Sequence, residues 1–216
     1  MAKRLFIVGG GDFGREVRAW FEPEWTADRG ITFAGFLDDQ PRPNVPVVGT
    51  IRDFQPDVDC VLVMAIATPA AKLAVAEMLL ARGGEFLTLV HRSVIVSTNV
   101  TIGRGAILCP NVVVSCDVTI GDFTLLNIAA TVGHDAVIGR GCTINSHADT
   151  MGYARLGEGT FLGSHSAILP HATTGEYAHV AAGSVVLRRV RPHTTVMGVP
   201  AKPMLATSDL KRKSDA

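Results

Sequence analysis

The chain has 216 residues, enough for one large domain or two small ones, so any boundary has to be read from pattern. Twenty Lys and Arg balance twenty Asp and Glu, and no basic stretch precedes the tail, which argues against a nucleic-acid partner because a phosphate backbone needs a positive footprint. Met1-Ala2-Lys3-Arg4 is followed by too short an apolar run for a signal peptide and no segment approaches a membrane span, so the expectation is a cytoplasmic protein with no membrane partner.

Leu5-Phe6-Ile7-Val8 reads as a short buried strand. Gly9-Gly10-Gly11-Asp12-Phe13-Gly14 then leads into a predicted helix from Arg15 to about Phe21, an arrangement in which backbone N–H groups and a helix N-terminus hold a phosphate. A second strand, Ile31 to Leu37, ends in Asp38-Asp39. A third, Val58 to Ala67, precedes a helix from Ala70 to Ala81. Strands alternating with helices predict a small parallel sheet, and ligands bind such sheets beyond the carboxyl ends of the strands. The glycine loop and Asp38-Asp39 both fall there, and an acidic residue after the second strand suits ribose hydroxyls or a base N–H. Cys60, Cys109, Cys116 and Cys142 form no CxxC pair and lie in apolar surroundings, which predicts buried thiols.

Beyond residue 90 a period of six takes over. Every sixth residue from Val96 to Val186 gives sixteen positions, of which only Thr150 and Thr174 are not aliphatic. The residue two places earlier is Val, Ala, Thr, Ser or Cys throughout, and the following residue is often glycine: Gly103, Gly121, Gly133, Gly139, Gly157, Gly163 and Gly175. Neither a helix of period 3.6 nor a hairpin sheet of period 2 keeps this phase. A solenoid does: three hexads make a triangular coil of eighteen residues whose aliphatic side chains stack inward, and glycine is expected at the corners, where the backbone takes dihedrals other residues resist.

The tandem hexads resemble the hexapeptide-repeat acyltransferases. The full order, from the glycine loop through Gly35-Phe36-Leu37-Asp38-Asp39 and the hexads to Gly198-Val199-Pro200-Ala201-Lys202, resembles the sialic-acid O-acetyltransferase family, which includes N-acetyltransferases of nucleotide-linked amino sugars. The resemblance implies an α/β Rossmann-like parallel-sheet domain over residues 1–90 and an all-β left-handed parallel β-helix over 91–205. A disordered tail is expected over 206–216. It further implies a homotrimer with sites between subunits, acetyl-CoA lying along the coils, and the nucleotide sugar on the front domain against Gly10, Gly11, Asp12, Phe13, Asp38, Asp39 and Ala67.

Acyl transfer from a thioester needs a base for the attacking amine or hydroxyl and an N–H for the oxyanion. His134 sits two places after the inward Val132, Asp135 is available to orient it, and one coil later the stacked position is Gly152, read as a vacancy for the acyl group with an exposed N–H. Gly133-His134-Asp135 matches the family's base segment and Asn127 a polar family position at the site. Thr143, Gly152, Ser164, Ala182 and Lys202 are the positions carried over to acetyl-CoA. His147 and His165, eighteen apart, should stack; outward surface histidines are favoured over a metal pair. A carbonic anhydrase of this coil architecture needs zinc histidines where this chain has Thr98 and Gly139, so no metal is expected. The family commonly has an Ile-Gly-Asp/Asn run and later an Arg after the third strand, where this chain has Ile66-Ala67-Thr68-Pro69 and Lys72. The leading expectation is N-acetylation of a nucleotide-linked 4-amino-4,6-dideoxy sugar with His134 as general base. An O-acyltransferase acting on a free sugar or other small hydroxylated acceptor is the alternative, and a non-catalytic binding or scaffold solenoid is the alternative of another class.

Overall fold

The computed structural model describes residues 3–28 and 30–204, so the predicted tail at 206–216 lies outside the described residues. The front of the chain forms a four-stranded parallel sheet from β1 (Lys3–Val8), β2 (Ile31–Leu37), β3 (Val47–Gly49) and β4 (Cys60–Met64), in the order β3-β2-β1-β4. Helix α1 (Asp12–Asp28) follows β1 and α2 (Pro69–Ala81) follows β4. Strand order reverses between β1 and β4, and an open parallel sheet has its ligand crevice at such a switch point.

Several boundaries differ from the sequence reading. Helix α1 begins at Asp12, three residues earlier than expected and with an acidic residue in its first turn, where the helix dipole favours one. The third expected strand is trimmed to Cys60–Met64, and the short edge strand β3 was not anticipated. Helix α2 starts one residue early, at Pro69, because proline suits a first helical position. Its buried residues Lys72, Leu73, Ala76 and Leu79 recur at helical spacing and form the face that packs inward.

From Leu89 the chain coils into a left-handed parallel β-helix of about six turns. Two-residue strands build three sheets, which we label by the coil that starts at Leu125: face I carries Leu125–Leu126, face II Thr131–Val132 and face III Val137–Ile138. Register is eighteen residues per coil, as in Leu126↔Ile144 and Val132↔Thr150. It shortens to sixteen after Val186, where Thr173 pairs with Arg189 and His179 with Thr195. A single antiparallel strand, Lys202–Pro203, closes the end.

The interior is the expected column of hexad residues: from Leu108 to Val186 each is buried, as are the small residues two places before them. Burying each aliphatic side chain contributes roughly 1.5–3 kcal/mol, so the column is what holds the coils together. Thr174 satisfies its hydroxyl with Thr160 at 2.8 Å, whereas the buried hydroxyls of Thr150 and Ser166 have no hydrogen-bond partner among the described residues. The reason for the glycines is corrected. The left-handed dihedral falls two residues later, at positions such as Asn99, Asp117, Asp135, Tyr153 and His171. The hexad glycines are instead required by close approach: a Cβ on Gly133 would lie 2.6 Å from the Gly152 nitrogen of the next coil.

The front domain packs on the outward side of face I. Leu89, Ile107 and Leu125 join Leu5, Ile7, Val61 and Val63 in one core cluster, and Thr143 of the same face donates its hydroxyl to the Ala67 carbonyl oxygen at 2.6 Å. Cys60, Cys109 and Cys142 are buried as expected, but Cys116 is only half-buried.

Candidate active site

Two regions carry the chemistry. At the end of β1, Gly9 adopts φ +103°, and a Cβ there would meet the Ala65 carbonyl oxygen at 2.9 Å. A Cβ on Gly14 would fall 2.0 Å from the Gly9 oxygen, so the loop wraps the start of α1 only with glycine at both positions. Nothing lies within 4 Å of where a Gly11 side chain would stand, which leaves open space beside the helix N-terminus. Asp38 is buried and its carboxylate accepts from Gly10 N–H (2.9 Å), Gln40 N–H (2.8 Å) and Arg42 Nε (3.0 Å). Burial alone would raise this carboxyl, but the Gln40 and Gly10 donors and the Arg42 guanidinium outweigh it and hold it below the usual carboxylate range. Asp38 therefore braces the glycine loop, while Asp39 turns outward, accepting from Arg52 N–H at 3.1 Å. Asp12 and Phe13 stand in the first turn of α1 rather than in a loop, and Asp12 pairs with Arg15 at 2.5 Å.

The second region is the edge of the solenoid between faces II and III. His134 Nδ1 lies 2.9 Å from Asp135 Oδ2, and both side chains are about half exposed. A carboxylate only accepts, so Nδ1 carries the proton of that bond, and in the neutral imidazole Nε2 is the nitrogen left with a lone pair. The slot expected to be empty above the histidine is taken up by the ring itself: a Cβ on Gly152 would stand 2.7 Å from Nε2 and 2.8 Å from Cε1. Glycine is needed there to admit the imidazole. The Gly152 N–H makes no hydrogen bond among the described residues. Tyr153 meets the His134 ring edge-on at 5.1 Å and stacks on His171 at 4.7 Å.

No family model matches the sequence, nor does any curated protein. Solved structures do. The acetyltransferase domain of PglB from Neisseria gonorrhoeae FA1090 is similar over 94% of this chain and 100% of its own, with a TM-score of 0.85 and 26% identity. PerB from Caulobacter crescentus, in complex with CoA and GDP-perosamine, is similar over 95% and 99% of the two chains at 0.84 and 28%. WeeI from Acinetobacter baumannii AYE is similar over 94% and 100% at 0.85 and 26%. This chain shares its whole architecture with the hexapeptide-repeat acetyltransferases.

The expected site residues of this chain are spread over more than one edge of the solenoid. His134, Asp135 and Gly152 share the edge between faces II and III. Asn127, Ser164 and Ala182 lie on the edge between faces I and II, where the Asn127 Oδ1 is already taken by Ile128 N–H at 2.7 Å. Thr143 is fully buried beneath the front domain, its hydroxyl bonded to Ala67 and Lys72, so it faces away from the solvent-lined edges. Lys202 is exposed in the closing strand. His147 and His165 stack at 4.9 Å with planes 7° apart, so their lone pairs lie in parallel planes and do not converge on an ion. No group that could hold a metal occurs among the described residues.

Tyr153 escaped the sequence reading, although it follows Asp135 by eighteen and so belongs to its column, with His171 one coil further on. Arg42 and the burial of Lys72 carried no periodic signal.

Proposed function

We propose that the protein transfers the acetyl group of acetyl-CoA to the amino group of a nucleotide-linked 4-amino sugar, with His134 as general base held by Asp135. The observation that carries the reading is the His134–Asp135 pair seated over Gly152, in a chain similar along its length to acetyltransferases. The PglB domain is known with acetyl coenzyme A, and PerB with CoA and GDP-perosamine. In this reading Nε2 takes the proton of the attacking amine as its nitrogen bonds the thioester carbon, and the free Gly152 N–H stabilises the oxyanion. The carbon–sulfur bond then breaks and CoA leaves as its thiol, reprotonated from the imidazolium. The phosphates of the nucleotide sit in the open space beside Gly11 at the start of α1, close to Gly10 and Ala67.

We further infer a homotrimer. The His134 edge is opposite face I, which carries the chain's own front domain, so an acceptor held by one front domain meets the histidine of a neighbouring copy. Face II supports this: of its six outward positions, Ile95, Val113, Thr131, Asp149, Ala167 and Val185, four are apolar, with Ile95 63% exposed. Of the six on face III, Thr101, Thr119, Val137, Arg155, Thr173 and Arg189, only Val137 is apolar. A copy seated on face II brings edges of different subunits together, and with them Asn127, Ser164 and Ala182. A cytoplasmic location follows from the acetyl-CoA supply that this chemistry requires.

The test supplies acetyl-CoA with UDP-, GDP- and dTDP-linked 4-amino sugars and follows free thiol. Turnover of one of them, abolished in His134→Ala, is the expected result; turnover of a hydroxyl acceptor in its place, or full activity in His134→Ala, overturns the reading.

A further inference from the structure

Lys72 is buried, 1% exposed, between α2 and face I of the solenoid. Its Nζ donates to the Cys142 carbonyl oxygen at 3.0 Å and to Thr143 Oγ1 at 2.9 Å. The Thr143 hydroxyl spends its own proton on the Ala67 carbonyl oxygen, so it can only accept from Lys72. The amine thus meets two acceptors. An uncharged amine has two N–H groups and both are satisfied; an ammonium would bury a third N–H and a full charge with nothing to receive them.

The surrounding ionisable groups offer the ammonium no anion. Cys142 is the adjacent one, and burial pushes its thiol up to about 12, so it stays protonated and donates to the Gly157 carbonyl oxygen at 3.2 Å. Glu77 of α2 and Glu158 of the solenoid are taken up by Arg140 at 2.9 and 3.7 Å, and Glu158 also accepts from Tyr177 at 3.0 Å.

We propose that Lys72 is a positioning residue held as an uncharged amine, which latches the loop between β4 and α2 to the solenoid through Thr143 and Ala67 and releases that loop when it is protonated. Burial lowers its pKa to about 7, so the latch works within the ordinary pH range. The loop it holds borders the switch-point crevice and, through Thr68, Pro69 and Ala70, one wall of a cleft of about 280 Å³ whose other wall is Phe161, Tyr177 and His179. The catalytic consequence rests on the proposed acyl transfer; the latch does not.

Amide hydrogen exchange of the full chain decides it, with loop protection corrected for chemical exchange and compared at about pH 8.5 and about pH 6, on either side of the transition. The wild type should lose roughly tenfold protection at the lower pH in the two amides that anchor the loop, that of Ala65 bonded to the Val8 carbonyl oxygen and that of residue 72 bonded to the Thr68 carbonyl oxygen, whereas Lys72→Met, which cannot charge, should show no such step. In the acyl-transfer assay the KM for the nucleotide sugar should rise at the lower pH in the wild type relative to Lys72→Met. Protonation of His134 affects both proteins alike and cancels in that ratio. Equal loop protection at both pH values in the wild type, or the same step in Lys72→Met, overturns the latch. If no nucleotide sugar is turned over, the acyl-transfer reading fails while exchange still decides the latch.

Discussion

The solenoid and the front domain bury aliphatic side chains by opposite means. In the solenoid Leu126 stacks on Leu108 and Ile144, one coil away on either side, so each layer depends on its neighbours alone. In the front domain Leu5 lies between Phe33 and Val61, and the core exists only once three distant segments have met. The solenoid therefore works as a ruler that sets His134 over Gly152 by counting eighteen residues. The front domain is a convergence of loops, and its site at Gly9–Gly14 and Ala65–Thr68 is as exact as the packing that brings those loops together. Substitutions at single glycines separate the two.

Gly152→Ala should have the largest effect. The added Cβ would stand 2.7 Å from His134 Nε2, so the ring must swing off its seat, and acetyl transfer should fall about 10²-fold or more. Thermal unfolding should change little, because the displaced ring is half exposed. Gly14→Ala acts at the other region: with its Cβ 2.0 Å from the Gly9 oxygen, the loop and the start of α1 must part. The KM for the nucleotide sugar should rise roughly tenfold while calorimetry shows acetyl-CoA bound as before, since uniform binding of one substrate alone is lost. If Gly14→Ala weakened acetyl-CoA equally, the division of labour between the regions would be wrong.

How far each region could be read from sequence follows from the same contrast. The solenoid was legible because its contacts repeat at a fixed interval: the inward column, the stacking of His147 on His165 and the seat of His134 against Gly152 are all arithmetic. Arithmetic did not say that the ring fills the seat, or that the glycines serve close approach rather than the left-handed corners at Asp135 and Tyr153. In the front domain the strand Ile31–Leu37 and the glycine loop carried local signals, whereas β3 has three residues and is defined mainly by its neighbour β2. That Asp38 spends its carboxylate on Gly10, and Lys72 its amine on Thr143, depends on contacts 28 and 71 residues apart along the chain, which no local window on the sequence contains. Arg42 is only four residues from Asp38, but the segment between them is not helical and offers no spacing rule that predicts the pair.

The hexad column can be sharpened at its one unsatisfied aliphatic position. Thr150 stacks between Val132 and Ile168 with its hydroxyl buried and unpartnered among the described residues. Thr150→Val removes that hydroxyl at nearly constant shape and should stabilise the solenoid by about 1–2 kcal/mol, read as a higher midpoint in denaturant at unchanged slope. A lower midpoint would mean that the hydroxyl has a partner, such as a buried water, that the aliphatic rule overlooks.

The smallest expected effect lies in the front domain and depends on pH. The Asp38 carboxyl is held below its ordinary value of 3.8, so the unfolded chain takes up a proton there before the folded one does. The stabilisation is thus fully present above that value and is lost as pH falls through it toward the folded one. Asp38→Asn keeps one acceptor oxygen but gives Gly10 N–H and Arg42 no anion, and should destabilise the front domain by about 1 kcal/mol at neutral pH. Measured by denaturant unfolding, the gap between wild type and variant should close below about pH 4, where the wild-type carboxyl begins to lose its advantage. The solenoid column contains no ionisable group in its hexad positions, so Thr150→Val should show the same gain at both pH values, and this difference in pH response is the finest distinction between the two regions that stability measurements can draw.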